Sequence, residues 1–238
     1  MSIEYLPWDT SFFKIKIGKI ENNNDLSFKE LENDFFSNEF NLVYLFSQEY
    51  IKPENSINLS IDLVDIMITM SCNLDKITIP LTNKELINTL SDEKLLEVYK
   101  IAEEISLVSR FSKESLIGVE KTKEFYRKWI DNSLNKSYAD GLFIFSENNK
   151  VAGLHSIKTD KENQIGSCSI IGVDQHLKGS GIGKMLWNYA FNYWKSLGYI
   201  KKCMVPFSLN NKQSFNFHLK MGFNVIEEIK YIYHIKKR

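Results

Sequence analysis

Apolar positions along this chain switch between two periods, and the switches outline its elements. Phe28, Leu31 and Phe35 recur at helical spacing behind Ser27 and Glu30, a capping box that starts a helix over about 28 to 38. Leu42 to Phe46, Leu63 to Cys72 and Lys76 to Pro80 are rich in strand-favouring residues, and Val64, Ile66, Ile68, Met70 and Cys72 fall on one face of the second run. Phe13 to Ile20 reads as another strand, closed by a solvated Asn-rich turn at Glu21 to Asp25. The polar stretch Leu81 to Ser91 reads as a joint, so a first lobe over 1–91 precedes a second over 92–238. In the second lobe Leu95, Tyr99, Ala102 and Ile105 mark one helix, and Phe125, Trp129 and Leu134 another. Leu142 to Phe145 and Val151 to Lys158 form a hairpin across Asn148 and Asn149, and Ile165 to Val173 adds a strand. Helix 181–197, strand 201–207, helix 211–221 and strand 224–236 follow, an alternation that predicts the α/β class with a mixed sheet as scaffold.

Composition narrows what such a scaffold does. Thirty Lys and Arg balance thirty Asp and Glu, which leaves no broad basic surface for a nucleic-acid backbone. The 43% hydrophobic content supplies a folded core. Cys72, Cys168 and Cys203 lie far apart without a CxxC pair, against a metal site or a disulfide framework and in favour of a reducing compartment. No apolar run is long enough for a membrane span and the first residues lack a signal-peptide layout, so a soluble, cytoplasmic protein is expected.

The chemistry gathers in the last third. Lys178-Gly179-Ser180-Gly181-Ile182-Gly183-Lys184 sits between a strand and a helix, where backbone N–H groups and the helix dipole attract a phosphate. A Walker A loop needs glycine at 178 and Ser or Thr after Lys184, but the chain has Lys178 and Met185. A Rossmann fingerprint needs glycine at 184 and an earlier place in the chain. In the next helix Asn211, Ser214 and His218 share a face, with Gly222 and Phe223 closing the segment.

The loop and this second helix together resemble the GNAT superfamily of acyl-CoA N-acyltransferases. The resemblance implies that acetyl-CoA is the co-substrate, that Lys178, Gly179, Ser180, Gly181, Ile182, Gly183 and Lys184 hold its pyrophosphate, and that Asn211 and Ser214 border its arm. It also implies that amides of Ile171, Gly172 and Val173 guide the pantetheine, and that no metal takes part. Lys178 stands where the family has Arg or Gln, and keeps the charge without the planar fork. His218 stands where the family has the tyrosine that protonates the leaving thiolate, and an imidazole with an ordinary pKa of ~6.5 can take that role if it is charged. For the base that deprotonates the acceptor, His155, Asp174 and an ordered water stay open; His176 and His234 read as loop and terminal residues.

The motifs Leu6 to Phe13, Ser109-Arg110-Phe111 and Phe125 to Leu134 are similar to the dTDP-fucosamine acetyltransferase branch of that superfamily. This implies a nucleotide-linked 4-amino-4,6-dideoxygalactose as acceptor, Arg110, Phe111, Trp8 and Phe13 as its binding residues, and a homodimer. By residue type alone, Trp8, Phe12 and Phe13 are packing aromatics, and Arg110 serves equally as a phosphate grip or a surface cation. Another amine acceptor and a non-catalytic acyl-CoA-binding module are the competing readings.

Overall fold

The computed structural model describes residues 2–22, 27–52, 58–82 and 84–238, so most of the expected Asn-rich turn lies outside the described residues. Proline at the first helical position opens α1 (Pro7–Phe13), and Lys14 ends it at φ 61°. The strand expected from Phe13 therefore starts only at β2 (Ile17–Asn22), beside the short β1 (Glu4–Tyr5). Ser27 is the expected N-cap: its Oγ accepts the Glu30 N–H at 3.4 Å and starts α2 (Phe28–Ser37). Strands β3 (Leu42–Ser47) and β4 (Leu59–Asn73) follow. In place of a strand at Lys76 to Pro80, the chain makes a 3₁₀ turn over Leu74–Lys76 and runs on without strand pairing.

Beyond residue 91 the elements are α3 (Asp92–Ser106), α4 (Arg110–Lys113), α5 (Gly118–Leu134), β5 (Gly141–Glu147), β6 (Lys150–Asp160) and β7 (Ile165–Val173). The chain continues with α6 (Ile182–Leu197), β8 (Lys202–Ser208), α7 (Lys212–Lys220) and β9 (Val225–Lys237). The predicted hairpin turns at Asn148 and Asn149, both with positive φ. Among the described residues nine strands join one mixed sheet in the order β1-β2-β3-β9-β4-β8-β7-β6-β5, continuous across residue 92. Strand β9 lies between β3 and β4, antiparallel to both.

The sheet has a helix layer on each side. Leu31 and Phe35 of α2 and the aromatic face of α6 (Trp187, Phe191, Trp194) cover one side. Val98 and Ile101 of α3, Ile130 of α5, Phe111 of α4 and Phe13 of α1 cover the other. The alternation expected over Val64 to Cys72 holds from Ile66 onward. At Val64 the strand bulges, since Leu63 pairs with Tyr233 and Asp65 with the next residue, Ile232. Cross-strand partners share a face, so the bulge turns Asp65 to the α4 and α5 side instead of leaving it with Leu59 and Ile61 over α2.

A buried ionic cluster pins α4 to β9. Glu114, 3% exposed, accepts from His234 Nδ1 at 2.8 Å and Lys236 Nζ at 2.7 Å. His234 is thus a core residue and not the terminal one expected from its position. Burial by itself would raise the Glu114 pKa, but hydrogen bonds from His234, Lys236 and the Leu116 N–H hold it down from 4.5 to about 2. A depressed carboxylate contributes stability that is present above its unfolded pKa and lost as pH falls toward the folded value. Glu114→Gln is therefore expected to destabilise the protein by about 3 kcal/mol at pH 7. In urea melts the gap between variant and parent should close as pH falls from 4.5 to 2, and a pH-independent gap would exclude this linkage.

Candidate active site

Strand β7 pairs with β8 in parallel over three residues only, Ile165 with Lys202, Gly166 with Cys203 and Ser167 with Met204. Both strands run on, β7 to Val173 and β8 to Ser208, without pairing to each other. On its far side β8 stays paired with β4 along its whole length, and β7 stays paired with β6. The sheet therefore splays, and Ile171, Gly172 and Val173 lie on the strand edge that faces the opening. Unpaired amides on a strand edge can take an extended amide-bearing ligand as an added strand.

The splay leads to the glycine loop. After Val173, Asp174 Oδ1 accepts the His176 N–H at 2.8 Å and caps a 3₁₀ turn, Gln175–Leu177, leaving His176 exposed. Gly179 and Gly181 adopt φ of +87° and +90°, and nothing lies within 4 Å of a Cβ built on either. No side chain caps α6 at Gly181, and Met185 N–H bonds back to the Gly181 carbonyl. The amides of Ile182, Gly183 and Lys184 are thus the free first turn of a helix, a ready anion site. Ser180 differs from its neighbours, because its N–H and its hydroxyl both donate to the Leu177 carbonyl. Lys178 and Lys184 are exposed beside the loop.

Helix α7 flanks the same opening from β8. Asn211 Oδ1 accepts the Ser214 N–H at 3.0 Å, so the asparagine is the helix cap. His218 is 2% exposed, stacked on Phe207 at 5.1 Å and edge-on to Trp187 and Phe223. Burial pulls its pKa down to about 4 although the Ser214 carbonyl opposes the shift. Nδ1 lies 2.8 Å from that carbonyl and so carries the hydrogen of the neutral ring, while Nε2 has no partner among the described residues. A ring in this state presents an acceptor at Nε2, not the acidic proton expected of it. His155 is fully buried against α6, with Nδ1 3.3 Å from the Leu186 carbonyl and a pKa lowered to about 3, chiefly by burial. Its ring packs on Trp187 at 4.6 Å inside the core, which removes it from any acceptor surface.

The opposite face of the sheet holds charge. The Arg110 guanidinium lies 4.2 Å from the Phe111 ring and 5.7 Å from Tyr44. It is half-buried, and makes no hydrogen bond or ion pair among the described residues, Nε being buried without a partner. Burial lowers its pKa, while Tyr44, Asp65, Tyr126 and Asp9 push it back. Asp9 is shifted the other way, raised by burial against a hydrogen bond from its own backbone and the attraction of Arg110. Asp65, placed here by the Val64 bulge, accepts from Ser208 Oγ at 2.5 Å. Of the aromatic residues singled out by sequence, Phe13 and Phe111 are core, whereas Trp8 is exposed and stacks on Phe12 at 5.1 Å. Asp65 escaped sequence reasoning because its place in an apolar run gave no sign of the bulge.

Among the described residues no group of three or more His, Cys, Asp or Glu is placed to hold a metal ion, and no helix is long and apolar enough to cross a membrane. A splayed parallel pair leading into an uncapped glycine-started helix defines a cleft for an extended ligand with an anionic head. The acetyltransferase (GNAT) family model matches residues 101–223, more than half of the chain, and the chain belongs to that family. The fold is similar to that of a functionally unknown conserved protein from Staphylococcus epidermidis, with a TM-score of 0.59 and 12% identity over 94% of this chain and 85% of that one. A putative GNAT-family acetyltransferase from Novosphingobium aromaticivorans matches with a TM-score of 0.50 and 12% identity over 83% of this chain and 74% of its own. A GNAT-family acetyltransferase from Colwellia psychrerythraea also scores 0.50 at 12% identity, covering 93% and 76%. No curated protein matches the chain.

Two outcomes are expected from this geometry. Gly181→Val places a β-branched residue at positive φ where the anion must approach, and should weaken CoA binding at least about tenfold in calorimetry with little change in fold. In ¹⁵N-detected histidine spectra His218 should show the Nδ1–H tautomer and no titration between pH 5.5 and 8; a midpoint in that range would show a solvated ring.

Proposed function

We propose that this protein transfers an acetyl group from acetyl-CoA to the amine of a nucleotide-linked amino-dideoxy sugar. The residues fit such a co-substrate: the positive-φ glycines leave open space above free helix amides, and the unpaired edge of β7 leads to them. Bound acetyl-CoA supplies an activated acyl thioester. The amides from Gly179 to Lys184, except that of Ser180, would hold its pyrophosphate, and those of Ile171 to Val173 its pantetheine arm. Lys178 and Lys184 add positive charge at the rim.

The observation that carries the acceptor assignment is the unpaired Arg110. A half-buried guanidinium that makes no direct ion pair has its hydrogen-bond donors open to an anion, and a diphosphate linkage brings one that the planar fork can grip. Asp65 sits near Arg110 without an ion pair to it, which leaves its carboxylate for the sugar ammonium. That carboxylate would take the first proton of the ammonium. Closeness of amine and thioester in one cleft then supplies much of the rate.

Release of CoA measured across dTDP-, UDP- and GDP-linked amino sugars and peptide amines tests this reading, and turnover with peptide amines alone would overturn the acceptor. For the accepted nucleotide sugar, Arg110→Ala should raise KM at least about tenfold and leave the KM for acetyl-CoA within about twofold. Arg110→Lys should recover only part of the loss.

A further inference from the structure

Strand β7 carries a bulge of its own. Ser156 pairs with Ile170 and Ile157 with Cys168, so Ser169 is an extra residue opposite no partner. It stands two residues past Ser167, the last residue of β7 paired to β8, and therefore where the sheet starts to open. Its hydroxyl oxygen accepts the Trp129 Nε1 hydrogen at 2.9 Å. The hydroxyl hydrogen has no acceptor among the described residues, and the side chain is half-buried. Trp129 is held in turn by Tyr126 and Tyr138, each with ring centres 5.5 Å from the indole, and by Phe125 at 5.8 Å.

A serine that accepts a hydrogen bond from an indole is a better donor through its own hydrogen, since the two bonds polarise each other. The indole hydrogen bond occupies one lone-pair direction of the oxygen, and the hydroxyl hydrogen turns to the others. Bulges next to active sites commonly re-aim a side chain in this manner. Charge develops on the acyl oxygen in acyl transfer, and a fixed donor aimed at it lowers the barrier. With the neutral His218 ring offering no proton at Nε2, the serine hydroxyl is a side-chain donor at the start of the opening.

We infer that Ser169 is a catalytic residue that donates a hydrogen bond to the acyl oxygen of the thioester, and that Trp129 is its positioning residue. This rests on the acetyl-transfer reading above. In the reaction the acceptor ammonium gives one proton to a base. Its nitrogen then bonds to the acyl carbon as the C–S bond breaks, and the second proton leaves with the sulfur as the thiol. Ser169 keeps its own proton throughout and stabilises the oxygen while negative charge is on it.

The test uses the full chain, acetyl-CoA and the amine panel described above. Ser169→Ala should lower kcat roughly 100-fold while both KM values stay within about threefold of the parent; Ser169→Thr, which keeps the hydroxyl, should retain most of the rate. Trp129→Phe should lower kcat in the same direction, and the double variant should be no slower than Ser169→Ala, because the two act through one bond. A second measurement does not need turnover. In protein with ¹⁵N-labelled tryptophan, the Trp129 indole N–H resonance, assigned by its loss in Trp129→Phe, should shift with acetyl-CoA and shift less with CoA, which lacks the acyl oxygen. In Ser169→Ala that difference should vanish. Unchanged kcat in Ser169→Ala, or equal shifts with the two ligands, overturns the Ser169 assignment and leaves the acetyltransferase reading standing. Failure of the parent to acetylate any amine overturns both.

Discussion

Three residue pairs join β7 to β8, and the opening beside the glycine loop depends on there being no more. A parallel pair that continued to Val173 and Ser208 would close the cleft and use the amides a ligand needs. It stops because each strand is held elsewhere: β8 by seven successive pairings to β4, and β7 by β6, with a bulge at Ser169 that bends it away. Close packing keeps the opening in place. A Cβ on Gly172 would lie 2.3 Å from the Cδ1 of Ile105 and 3.0 Å from Ile101, so the glycine lets α3 pack closely on the splayed strand.

The two faces of the sheet divide the electrostatic tasks. On the α6 and α7 side the buried histidines are neutral, their Nδ1 hydrogens turned to backbone carbonyls and their rings packed around Trp187. On the α4 and α5 side charges of both signs are kept close without pairing through Arg110, while Glu114 is fully satisfied by β9. The satisfied cluster anchors α4, and the unsatisfied one is left for something else to complete. A low-dielectric interior makes both arrangements matter, since paired buried charges are tolerable and unpaired ones strongly attract a partner.

Most helices were legible in the sequence because their signals are local. Ser27 caps α2, Asn211 caps α7, and the apolar stripe of α6 needs only its own residues. The glycine loop was equally legible as the link between a strand and a helix start. Long-range pairing was not. Nothing near Asp65 announces that Val64 will bulge, and nothing near His234 announces Glu114, 120 residues earlier. The reading of Phe13 to Ile20 as strand failed for a local reason: Pro7 favours a helix start, and the aromatic run after it packs as a helix between α5 and the sheet. Helical spacing found the face on which His218 lies but not the depth at which Phe207 and Trp187 enclose it.

The place of β9 sets an order of events during synthesis. Strands β3 and β4 are neighbours in sequence but not in the sheet, and the strand that belongs between them occupies residues 225–237. Until it emerges from the ribosome, both strands have an open edge facing each other across a missing partner, and Glu114 lacks the His234 and Lys236 hydrogen bonds that satisfy it. The core around β3 and β4 therefore waits for residues 225–237, in a molecule whose contacts are strongly non-local. Such a nascent chain exposes strand edges for the full time of its translation, and its folding in cells rests on whatever shields them until β9 arrives.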